Sequence, residues 1–182
     1  MTPMEFARQF DIVVRAQTVA LRTGWDDRRQ RTAAMYAVID EVAPALGVRV
    51  CLNPRQVRPR EYYKLDAVYY DGEGPTYDGW QYAWRIEAAI EIENNARNSH
   101  IEMNKLVLFN TPLKVLITFP RQHTVGQLLE MFAGIARRGD MFGDFATRRR
   151  HLVILGVSPH HWAYYTYDGQ AFLQVHLEEA AQ

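Results

Sequence analysis

Residues 84–93, WRIEAAIEIE, alternate as a strand does, with Ile86, Ala88, Ile90 and Ile92 on one face and Glu87, Ala89, Glu91 and Glu93 on the other. Carboxylates two residues apart on one strand face stand roughly 7 Å from each other. They repel unless water, a proton or a cation relieves them. Asp66 lies in the preceding candidate strand, so pairing of the two strands would let Asp66, Glu91 and Glu93 converge. Clustered hard oxygen donors suit Mg²⁺ or Mn²⁺, which bind through one or two carboxylates with water and phosphate oxygens. Such an ion polarises a phosphodiester and acidifies an attacking water. The alternative is a solvated sheet face carrying Glu91 and Glu93, with Asp66 in a polar turn.

Other polar groups lie around these acids. Arg55, Arg58, Arg60 and Lys64 precede Asp66, with Tyr62 and Tyr63 among them. Guanidinium groups there could hold phosphates and the rings could stack on bases, or the stretch is a solvated basic loop. Lys105 follows Glu93 on the next candidate helix, and Glu102 offers it an i,i+3 ion pair. Arg148, Arg149 and Arg150 could extend a nucleic-acid track or simply flank a buried strand. Asn94 and Asn95 could orient ligands or end the strand by turn chemistry. Glu41, on an earlier candidate helix, reads as solvated, and His123, His160 and His161 show no ligand spacing with carboxylates. Cys51 has no local base, and the glycine-rich run DGEGPTYDG lacks the lysine of a phosphate loop.

The elements that must position these groups follow from periodicity. Apolar spacings of three and four predict helices over Pro3 to Ala20, Asp27 to Leu46 (stopped by Gly47), Ala96 to Asn110 and Thr124 to Arg138. Strands are expected at Val48 to Leu52, Tyr62 to Tyr70, Trp84 to Glu93, Leu113 to Phe119 and His151 to Val157. Residues 71–79 should form a loop, and WAYYTYDGQAFLQVHL a hairpin about Asp168 and Gly169.

At 182 residues the chain suits one domain. Lys+Arg and Asp+Glu both count 21, so nucleic-acid contact would have to come from a local patch and not a global field. The single cysteine excludes an internal disulfide and fits a reducing compartment. With no long apolar run, the expectation is a soluble cytoplasmic protein without a membrane anchor.

The order KLDAVYYD, AIEIENN, a helix holding NKL, and then LKVLITF resembles the PD-(D/E)XK nuclease-like superfamily over Arg31 to Phe119. The resemblance implies an α/β restriction-endonuclease-like αβββαβ core at about 31–120, with a mixed central sheet flanked by helices. Residues 121–182 would add a helix, a strand and a C-terminal β-hairpin extension. It also implies Mg²⁺-dependent hydrolysis of DNA, with Asp66, Glu91 and the backbone carbonyl of Ile92 as metal ligands. The family lysine would fall at residue 93, where this chain has Glu93, so Glu93 would bind metal or orient water. Lys105 would be a migrated lysine near the attacking water, and Arg55, Arg58, Arg60 and Lys64 would hold DNA. Two other classes remain open: a catalytically inactive nucleic-acid binder on the same fold, and an interaction module that dimerises through the aromatic residues Trp162 to Tyr167.

Overall fold

The computed structural model describes residues 1–52, 65–77 and 80–177. In chain order the elements are helices Pro3–Ala16 (α1), Thr18–Gly24 (α2) and Arg28–Ala45 (α3), then strands Arg49–Leu52 (β1), Ala67–Tyr77 (β2) and Trp80–Glu93 (β3). Helix Ser99–Val107 (α4), strand Leu113–Thr118 (β4), helix Val125–Gly139 (α5) and strands Arg150–Ser158 (β5), His161–Tyr167 (β6) and Phe172–Val175 (β7) complete the chain. All seven strands form one mixed sheet in chain order. The pairs β1–β2 and β2–β3 are antiparallel, β3–β4 and β4–β5 parallel, and β5–β6 and β6–β7 antiparallel. Parallel neighbours need a crossover, and α4 and α5 supply the two. No helix among the described residues is long and apolar enough to cross a membrane.

Local chemistry explains the helix boundaries. Thr2 and Glu5 form a reciprocal capping box with Pro3 opening α1, and the Asp27 carboxylate accepts from Arg29 N and Gln30 N at the start of α3. Gly47, at φ 68°, takes the left-handed turn after α3. One sheet face carries Ala88, Ile90, Ile92, Val115, Ile117 and Ile154 and packs against α1 and α3. The other carries Ala89, Leu116, Val153 and Leu155 and packs against α4 and α5. The two crossover helices meet at Gly139, where a Cβ would stand 1.9 Å from Val107 Cγ1. A glycine is therefore required for α5 to lie this close to the helix that carries Lys105.

Several expectations are corrected. The loop placed at residues 71–79 is mostly strand, because β2 runs through Tyr77 in a long hairpin with β3. The alternation in β3 is interrupted: Tyr69 faces Ala88 but Tyr70 faces Ile86, so Glu87 is an extra residue. Ile86 consequently packs toward the α4 and α5 side, while Glu87 pairs with Arg85 and borders a pocket with Glu5 and Arg8 of α1. The C-terminal hairpin about Asp168 and Gly169 forms as expected, and β6 and β7 continue the main sheet from β5. Its aromatic residues serve the interior. Trp162 meets Phe10, Trp25 and Phe119 edge-on, and the buried Tyr164 donates to Asp11 Oδ1 at 2.8 Å.

The core holds an electrostatic burden on its β4–β5 ladder. Lys114 and His151 are partners across the β4–β5 ladder and fully buried. Neither Lys114 Nζ nor the His151 ring nitrogens have a hydrogen-bond partner among the described residues, and Nζ lies 4.4 Å from the Phe145 ring centroid. Burial lowers Lys114 to about 8; burial and the Lys114 charge lower His151 to about 3. A folded pKa depressed below the unfolded value means that the destabilisation from Lys114 is full below about 8 and fades as pH rises toward 10.5. Lys114→Met should therefore raise unfolding free energy near neutral pH by about 1–3 kcal/mol, with the gain shrinking at alkaline pH. Urea denaturation of both proteins checks this, and a less stable Lys114→Met at neutral pH would contradict it.

Candidate active site

The site is built where β2 begins beside the end of β3. The register pairs Ala67 with Ile90, so Asp66, one residue before β2, comes level with Glu91. Because β2 has not yet started there, the Ile92 N–H lacks a regular ladder partner. The Asp66 carboxylate takes that place, with Oδ2 accepting from Ile92 N at 2.8 Å and Oδ1 from the Tyr36 hydroxyl of α3 at 2.9 Å. Burial, then the Asp66 charge, pushes the Tyr36 hydroxyl above its ordinary pKa, which keeps it a donor.

Glu91 shares the strand parity of Ala89 and faces α4. It is 1% exposed. The Lys105 ammonium, in the last turn of α4, lies 2.7 Å from Glu91 Oε1 and 2.6 Å from Glu102 Oε2. Burial pushes the Glu91 carboxyl up to about 9 against the pull of Lys105, and the nearby Asp66 charge adds to the rise. Burial works against the charge of Lys105 too, but its bonds to Glu102 and Glu91 raise its pKa overall. The consistent state is a charged Lys105 paired with Glu102, lending a bond to a Glu91 that is short of positive charge.

The structure thus brings Lys105 against Glu91 and sets Asp66 on the N–H of the next residue, Ile92, near enough for its charge to act on Glu91. Glu93 is used differently: its Oε1 accepts from Asn95 N at 2.6 Å and its carbonyl accepts from Thr118 Oγ1 at 2.8 Å. Among the described residues no group of three or more His, Cys, Asp or Glu side chains is arranged to hold a metal ion. The three-acid cluster expected from spacing is thus not seen among the described residues. Asn95 takes the turn role, while Asn94 ties the end of β3 to α3. Arg31 of α3, 4.4 Å from the Phe119 ring centroid, donates to Asn94 Oδ1 at 2.8 Å, and Asn95 Oδ1 accepts from Arg97 N at 3.2 Å.

Arg55, Arg58, Arg60 and Lys64, with Tyr62 and Tyr63, lie outside the described residues. Arg148, Arg149 and Arg150 sit at the other end of the parallel strands, where Arg150 pairs with Leu113 while Glu91 pairs with Leu116. Arg149 is bound to Asp144 at 3.3 Å. Glu41 is remote, accepting from Gln17. Tyr36 is the site residue that sequence reasoning missed. Nothing near it in the chain marks it, since its role arises only when α3 packs over the start of β2. No protein-family model, no curated protein and no solved structure matches the chain.

Asp66 carries a structural duty that can be measured apart from any reaction. Asp66→Ala leaves the Ile92 N–H and the Tyr36 hydroxyl without their acceptor, which should lower unfolding free energy by about 1–3 kcal/mol. Asp66→Asn keeps one acceptor oxygen and should cost less. Equal stability of wild type and Asp66→Ala in urea would show that neither bond matters.

Proposed function

We propose that this chain is a Mg²⁺-dependent nuclease of the PD-(D/E)XK kind that hydrolyses DNA phosphodiester bonds. The observation that carries the proposal is a buried Glu91 held against Lys105 while Asp66 binds the N–H of the adjacent Ile92. The succession α3, β1, β2, β3, α4, β4, with an antiparallel meander followed by a parallel crossover, supports it as an αβββαβ core.

The donors fit the ion. Asp66 and Glu91 offer hard carboxylate oxygens. A strand residue projects its N–H and C=O to the same edge, so the Ile92 carbonyl opens on the side where its N–H meets Asp66. Two carboxylates and one carbonyl leave room for the waters Mg²⁺ retains. Glu91, short of positive charge, is the kind of group a cation would return to its ionised form. Bound there, Mg²⁺ would polarise the phosphodiester and lower the pKa of an attacking water. Tyr36 fixes the Asp66 carboxylate by its bond to Oδ1, and Lys105, kept charged by Glu102, would offset negative charge developing near Glu91. Glu93, bonded to Asn95, would act only on water at the edge of the site.

A second reading is a nucleic-acid binder without catalysis. It is favoured by the enclosure of the Lys105 ammonium between Glu91 and Glu102, and by a glutamate at residue 93 where the superfamily has its lysine. Incubation with supercoiled plasmid, with Mg²⁺, Mn²⁺ or chelator, separates the two. The nuclease should nick plasmid only with metal, and Glu91→Gln and Lys105→Met should each slow nicking by about 100-fold or more. Retention of DNA without nicking would establish the binder. Nicking by Glu91→Gln at the wild-type rate would end the metal-site proposal.

A further inference from the structure

Two open depressions lie between the start of α3 and the end of β3. One, of about 510 Å³, is bordered by Tyr36, Glu93, Asn94, Asn95, Arg28 and Arg29. The other, of about 490 Å³, shares Arg28, Asn94 and Asn95 and continues past Arg97, Arg121 and His123. The shared walls make them one groove across the C-terminal ends of β3 and β4. Ligands of α/β sheets gather at that end of parallel strands.

The charge of this groove sets it apart. Arg28 and Arg29 come from the first turn of α3, Arg97 from the turn before α4 and Arg121 from the segment after β4, and all four are exposed. None of the four guanidinium groups has an ion-pair partner among the described residues. Arg15, Arg85 and Arg149 are matched, with Asp11, with Asp71 and Glu87 and with Asp144, while Arg22, Arg137, Arg138 and Arg148 also lack an ion pair among the described residues; the groove is distinguished by gathering four such groups from three segments. In a chain with balanced charge, four unmatched guanidinium groups from three segments repel one another unless an anion joins them. Glu93, the acid among the lining residues, has its carboxylate engaged by Asn95 N. The floor is braced: Arg31 donates to both Oδ1 and the carbonyl of Asn94, and Asn94 Nδ2 donates to Thr32 of α3.

We infer that this groove holds the sugar-phosphate backbone of a nucleic acid, with Arg28, Arg29, Arg97 and Arg121 contacting successive phosphates. The groove is linked to Asp66 through Tyr36, which borders it and donates to the Asp66 carboxylate, and its wall includes Glu93, two residues beyond Glu91. The inference deepens the nuclease proposal by giving the substrate its track, and it places the track on residues other than Arg55, Arg58, Arg60 and Lys64. Backbone contacts of this type position a strand without reading its sequence.

The test is binding, read independently of cleavage. Fluorescence anisotropy of a short labelled DNA duplex and of its single strand is measured with chelator present, over a series of salt concentrations. Arg28→Ala/Arg121→Ala should weaken binding of the preferred form by about 10-fold or more and flatten the dependence of log affinity on log salt by about one per arginine. Arg148→Ala, exposed at the opposite end of the sheet, should leave both unchanged. The altered arginines are exposed, so both variants should melt with the wild type. Unchanged affinity and salt slope in the double variant, or no binding by the wild type at low salt, would overturn the inference. Groove-dependent binding without plasmid nicking would sustain the track while ending the nuclease proposal.

Discussion

A carboxyl closed between a sheet and a helix calls for positive charge, and among the described residues the cation paired with Glu91 is Lys105, which it shares with Glu102. The requirement organises the site. Helix α4 must lie over β3 with its last turn at Glu91, which puts Lys105 within 2.7 Å; the same crossover delivers β4 parallel to β3. Helix α5 holds α4 in place through the close approach at Gly139. On the other side of the sheet, α3 sends Tyr36 to Asp66, and Asp66 secures the end of β3 at Ile92. Two helix layers therefore converge on one strand end, and the acids are held by both.

Much of this was legible in the chain. The alternation of Ile90 and Ile92 against Glu91 was read correctly because it depends only on strand geometry, and the uniform burial of β4 follows from its position between two parallel neighbours. Gly47 marked the end of α3 by its left-handed turn. Other features depended on partners far away in sequence. The extra residue at Glu87 is a property of the β2–β3 register, and it reversed the expected face of Ile86. Residues 71–77 look like a loop by composition, yet pairing with β3 holds them in a strand. The aromatic residues of β6 suggested an exposed anchor, but their neighbours Phe10, Trp25 and Asp11 lie at the other end of the chain.

The same limit explains the arginine groove. Arg28, Arg29, Arg97 and Arg121 show no common motif, and each alone is an ordinary surface residue. Their significance comes from their meeting in one groove with no ion-pair partner among the described residues. Lys105 was easier to single out because it lies on the helix directly after the acid strand, and a crossover helix must return across that strand. Glu93 shows the reverse: its spacing pointed to the acid pair, whereas the backbone turn at Asn95 claims its carboxylate.

The central claim is that Asp66 and Glu91 share one divalent cation. Mn²⁺ binding followed by electron paramagnetic resonance addresses it directly, since free and bound ion are counted without reference to any substrate. The account predicts one site per chain that is displaced by Mg²⁺, with affinity falling by about 10-fold or more in both Asp66→Asn and Glu91→Gln. Mn²⁺ bound equally well by wild type and both variants, or not bound by the wild type, would contradict it.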